Sequence, residues 1–129
     1  MIPRLSGAAI ALLLLAGCAP QAPAAKPITS TLTCQQFSQA TSVIFVATSG
    51  NAQGTVSDEK LQSELERAKT MLDAIEVEPE TDLAEQVAAL EPLTPLDLGD
   101  RAGWAVHFDA FEDACLAQGD ELTITAPGG

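Results

Sequence analysis

Ser57-Asp58-Glu59-Lys60-Leu61-Gln62-Ser63-Glu64-Leu65-Glu66-Arg67-Ala68-Lys69-Thr70-Met71-Leu72-Asp73-Ala74-Ile75 is the stretch from which the fold can be read. Leu61, Leu65, Ala68, Leu72 and Ile75 recur at alternating steps of four and three residues. That spacing draws a single narrow apolar seam along an α-helix. Ser57 suits the N-cap, where a side-chain oxygen accepts from an otherwise unpaired amide of the first turn. Asp58 and Glu59 complement the positive end of the helix dipole, and Val56 and Leu61 stand at the spacing of a hydrophobic staple. Glu64, Glu66, Arg67, Lys69 and Asp73 occupy the other faces. A helix with one apolar stripe must bury it, so the chain must supply further helices to cover it.

Upstream, Thr33-Cys34-Gln35-Gln36 has capping-box spacing, with Leu32 and Phe37 as its staple. A helix is expected from Cys34 to about Ser49, with Phe37, Ala40, Ile44 and Ala47 on one face. The run Val43-Ile44-Phe45-Val46 has high strand propensity, but the cap favours the helix. Gly50 suits a left-handed helix stop. Gly50 to Thr55 then reads as an interhelix turn, since its Gly-x-x-x-Gly lacks the lysine of a phosphate-binding loop.

Downstream, Pro79 breaks the second helix, and a third runs from about Asp82 to Glu91 with Leu83, Val87 and Leu90 on one face. Pro92 and Pro95 end it. Leu93 to Gly99 reads as a connector whose leucines cover one end of the core. A fourth helix is expected from Arg101 to Gln118, capped by Asp100 and stopped by Gly119. Trp104, Phe108, Phe111 and Cys115 form one stripe on it. Leu122-Thr123-Ile124 and the closing Pro-Gly-Gly read as a flexible tail over residues 120–129.

At the other end of the chain, Met1 and Arg4 give a short positive start, Ala8 to Ala16 an apolar centre, and Leu15-Ala16-Gly17-Cys18 closes it. This arrangement resembles the lipobox of bacterial lipoproteins. The resemblance covers residues 1–18 and implies cleavage after Gly17, with a diacylglyceryl group on the Cys18 sulfur. It places the protein outside the cytoplasm, on the outer face of a cell membrane or on an outer membrane. Ala19 after Cys18, rather than Asp, fits the outer membrane by resemblance to the lipoprotein sorting rule. Two or more acyl chains anchor stably where one does not. Residues 18–32 are Pro/Ala-rich and expected to be an extended, disordered tether, reaching about 40 Å at ~3.1 Å per residue. Residues 33–119 form the helical domain.

With Cys18 acylated, two of the three cysteines remain, and an exported protein most simply pairs Cys34 with Cys115. Cys34 starts the first helix and Cys115 lies near the end of the fourth, so the bridge requires those ends to be neighbours. Helices alternating up and down satisfy this. The fold class that emerges is all-α, a small bundle of three or four helices stapled by one disulfide.

The formal charge is −12, and removing residues 1–17 takes away Arg4 and no acidic residue, giving −13. Such a surface repels nucleic acid and anionic lipid headgroups. It favours solubility or cationic partners. His107 is the only histidine, which excludes a two-His metal site, and with no tyrosine a haem ligand would rest on His107 or a methionine. No G-x-S-x-G or H-E-x-x-H segment is present. Asp109, Glu112 and Asp113 point mostly away from the aromatic stripe. Glu76, Glu78, Glu80 and Asp82 offer hard oxygens to Ca²⁺ but lack the spacing of a calcium loop, so no metal or cofactor is assigned. Trp104, Phe108 and Phe111 facing Phe37 and Phe45 read as packed core before they read as a pocket.

These residues lead to a membrane-anchored extracytoplasmic lipoprotein that is not an enzyme. The first functional expectation is an acidic protein-interaction module with an envelope partner. The alternative is a binding protein for a small apolar ligand or divalent cation, which requires a real cavity or a clustered carboxylate site.

Overall fold

The structure is a computed structural model and describes residues 27–124. The signal, Cys18, the tether through residue 26 and the tail from residue 125 lie outside the described residues. Five helices follow in order: α1 (Ser30–Ala52), α2 (Asp58–Asp73), α3 (Asp82–Leu90), α4 (Pro95–Leu98) and α5 (Arg101–Ala117). There is no strand among the described residues. None of the described helices is long and apolar enough to cross a membrane.

α1 is longer than its sequence signals suggest at both ends. Thr29 is its cap, accepting from the Leu32 amide at 3.2 Å. Thr33 is 1% exposed and donates to the Glu76 carbonyl at 2.6 Å. Leu32 therefore lies inside the helix rather than in a staple before it. At the far end α1 runs through Gly50, and the left-handed residue is Gly54 (φ 81°). Gly50 serves close approach instead: a Cβ there would sit 2.5 Å from Val56 Cγ2.

α2 follows its periodicity. The Ser57 hydroxyl accepts from the Lys60 amide at 3.1 Å. Leu65, Ala68 and Leu72 are buried, as is Ile75 just beyond the helix. Among the described elements the α1–α2 pairing is the most extensive, and it covers most of the seam, with Leu61 half-buried at its start.

α3 is capped by Thr81, whose hydroxyl accepts from Ala84 N. The expected connector contains a short helix, α4, held by a capping box between Thr94 and Asp97. Its leucines divide: Leu98 is 1% exposed and Leu96 83%. On α5, Asp100 occupies the cap position but makes no side-chain cap hydrogen bond. Gly119, at φ 85°, ends the helix as expected.

Cys34 and Cys115 form a disulfide, with Cα atoms 6.0 Å apart. It pins the start of α1 to the end of α5. The start of the expected flexible tail is tied down here. The Asp120 carboxylate accepts from Ser30 Oγ at 2.7 Å and Thr31 Oγ1 at 2.8 Å, and Leu122 packs on the core. Phe37 lies at the centre, fully buried, with its ring stacked on Phe111 at 3.8 Å and interplanar angle 2°. The rings of Trp104 and Phe108 stand 5.8 and 6.0 Å from Phe37.

Candidate functional site

α1 and α5 are joined at one end by the disulfide and stay together through the Phe37–Phe111 stack. Moving away from the bridge, the facing residues change character. On α1 they are Thr41, Ile44, Phe45 and Thr48; on α5 they are Phe108, Ala105, Trp104 and Arg101. Each set falls at positions i, i+3, i+4 and i+7 of its helix, and so on one face. Between these faces runs a groove of about 440 Å³, lined also by Leu98 of α4 and Ile124 of the tail. That volume is in the range of small-molecule sites, about 300–1,000 Å³. Ile44 is buried, whereas Phe45 is 42% exposed.

The groove is apolar except for a few polar groups, and two of these have no partner. Thr41 Oγ1 and Trp104 Nε1 are buried and make no hydrogen bond among the described residues. Leaving such a group unsatisfied costs about 1–3 kcal/mol, so native structures contain few of them. Here two belong to side chains that line the same groove. Thr48, by contrast, donates to the Ile44 carbonyl at 2.8 Å.

Arg101 is the third polar feature. Among the described residues, the other cations are engaged: Lys60 and Arg67 both pair with Glu64, at 3.1 and 2.9 Å, and Lys69 pairs with Asp73 at 2.9 Å. Lys69 also donates to the carbonyls of Leu90 and Glu91 at the end of α3. The hydrogen bonds from Lys60 and Arg67 hold the Glu64 carboxyl below its usual range. Arg101 has no ion pair or hydrogen bond among the described residues, in a chain with 18 acidic residues. A second groove of about 390 Å³, against Val43, Val46 and Val56, has its charged groups Lys60, Glu64 and Arg67 already paired with one another.

The residues singled out from sequence distribute as follows. Trp104 and Phe108 line the groove, while Phe37 and Phe111 are core beneath it. Phe45 is on the rim and not in the stack. His107 is half-buried with its ring 6.4 Å from that of Trp104, and it does not line the groove. Asp109 and Asp113 are exposed and Glu112 half-buried. Glu76, Glu78, Glu80 and Asp82 are exposed. No three His, Cys, Asp or Glu side chains come together to hold a metal among the described residues. Cys34 and Cys115 are consumed by the bridge.

Sequence reasoning missed Thr41, Ile44, Thr48, Leu98, Arg101, Ala105 and Ile124 as lining. The signal available for Thr41 and Thr48 is their place with Ile44 and Phe45 on one helical face. Comparison with protein-family models, with curated proteins and with solved structures finds no match to the chain.

Proposed function

We propose that this chain is a lipid-anchored, extracytoplasmic binding domain that takes a small apolar molecule into the groove between α1 and α5. The observation that carries the reading is the pair of buried, unpartnered polar groups, Thr41 Oγ1 and Trp104 Nε1, on an otherwise apolar lining. Such a combination, apolar walls with a few convergent polar groups, is what orients a ligand. The anchor is Cys18, by resemblance of Leu15-Ala16-Gly17-Cys18 to the lipobox, and the Pro/Ala-rich segment after it serves as the spacer. The proposed role is binding without catalysis, since the sole histidine stands off the groove.

A second reading keeps the acidic surface as a docking face for an envelope protein. Its support is that only Glu64 and Asp73 among the carboxylates form ion pairs within the described residues. The two readings separate on intact cells. Native mass spectrometry of the gently extracted lipoprotein should find a bound small apolar molecule. Crosslinking at low and high salt that instead yields a salt-sensitive protein partner, with no bound small molecule, would replace the first reading by the second.

A further inference from the structure

Resting on the groove reading, we infer that the ligand is an amphipathic acid, a molecule with an apolar body and a single carboxylate. Three donors belong to side chains that line this one groove. Trp104 Nε1–H can only donate. The Thr41 hydroxyl can donate and has no acceptor of its own. Arg101 lies one helical turn before Trp104 on the same face of α5, and among the described residues its guanidinium pairs with no carboxylate. A carboxylate offers two oxygens with about four acceptor positions, enough for all three groups. Neutral ligands with one oxygen would leave at least one donor unmet, and a cation would meet Arg101 with like charge.

The remaining lining matches the other half of such a molecule. Ile44, Phe45, Ala105, Phe108 and Ile124 supply aliphatic and aromatic walls without charge. The acid head is held where Trp104 and Thr41 lie, with Arg101 closing over it from the mouth. Thr41 Oγ1 and Trp104 Nε1 are shut off from water as the groove stands, so ligand entry includes rotation of Thr41 about χ1 and displacement of the rim.

The acidic surface opposes any anion, and its effect is bounded by distance. At 0.15 M salt the Debye length is about 8 Å, so remote carboxylates are screened while a contact with Arg101 is not. The acidic groups nearest Arg101 in sequence are directed elsewhere. Asp97 accepts from the Thr94 amide and hydroxyl at 2.8 and 3.0 Å. Asp100 Oδ2 lies against Gly103, 2.8 Å from where a Cβ would stand.

The test uses Trp104, the only tryptophan, as its own reporter. The unacylated chain from Ala19 onward keeps every described helix, the disulfide and the core. It is titrated at 0.15 M salt with decanoate, decanol and decyltrimethylammonium while Trp104 emission is followed. Decanoate should bind saturably and at least about tenfold more tightly than the other two, the scale of a hydrogen-bonded charge. Arg101→Gln should lose about that factor for decanoate and leave decanol unchanged. Thr41→Val should weaken decanoate as well. Ala105→Phe, which fills the groove, should abolish binding of all probes, with thermal melts confirming that each variant folds. Decanol or the cation binding as tightly as decanoate, or Arg101→Gln without effect, would overturn the acid while leaving the groove reading intact. No saturable change with any probe would overturn both.

Discussion

Gly50 gives the sharpest prediction at the scale of a residue. Ala normally stabilises a helix interior by about 0.5–1 kcal/mol relative to Gly. Here the added Cβ would meet Val56 Cγ2 at 2.5 Å and Val56 Cβ at 3.3 Å. Val is stiff about χ1 and cannot swing aside cheaply. Gly50→Ala should therefore destabilise by about 1–3 kcal/mol in urea unfolding, and adding Val56→Ala should recover most of it. A stabilised Gly50→Ala variant would show that α1 and the following turn do not approach as described. Asp120 gives a second prediction. Hydrogen bonds from Ser30 and then Thr31 hold its carboxyl below the usual range. A lowered folded pKa contributes stability above the unfolded value, about 3.9, that is lost as pH falls through the folded one. Protonation of the many exposed carboxylates also relieves repulsion, so the informative quantity is the difference between the parent and Asp120→Asn. That difference should favour the parent at pH 7 and shrink below about pH 4 in thermal melts.

At the scale of an element, α2 is the part most fully specified by its own sequence. Its cap, dipole charges and seam all point to the same helix, and each is present in the fold. Ser57→Ala should cost about 1 kcal/mol of unfolding free energy, because Lys60 N loses its acceptor. A loss near zero would mean that water replaces the cap freely. α1 shows where such local signals stop. Thr29 and Thr33 are both credible caps, and only a distant partner, the Glu76 carbonyl, decides between them by taking the Thr33 hydroxyl. Gly50 and Gly54 pose the same problem at the other end, settled by Val56 packing against Gly50. α4 reads as a connector because Pro92 and Pro95 stand close together and the segment is short, although Thr94 and Asp97 carry the spacing of a capping box. The groove was half legible for a related reason. Periodicity finds Trp104 and Phe108, but whether two facing stripes touch or part depends on how far α1 and α5 diverge. Arg101 gains meaning only when every other described cation is seen to be paired.

For the whole molecule, the decisive constraint is the link between Cys34 and Cys115, separated by 81 residues. Closing a loop of that length removes chain entropy from the unfolded state, roughly 4–5 kcal/mol in the entropic model. That is a large share of the stability of a domain this small, where a single core is marginal without a staple. The Cys34→Ala/Cys115→Ala double variant, which avoids leaving a free thiol, should unfold at a much lower urea concentration than the parent. Because the bridge constrains mainly the unfolded chain, both folded proteins should have nearly the same helical circular dichroism at low temperature. The bridge also pins the end of the α1–α5 pair next to the Phe37–Phe111 stack. If the stack alone suffices to hold that end, decanoate affinity in the double variant will match the parent below its melting range. If the helices need the bridge to keep their angle, affinity will fall while the helix signal stays intact. An unchanged urea midpoint would mean that the denatured chain is already compact enough for the loop to cost little.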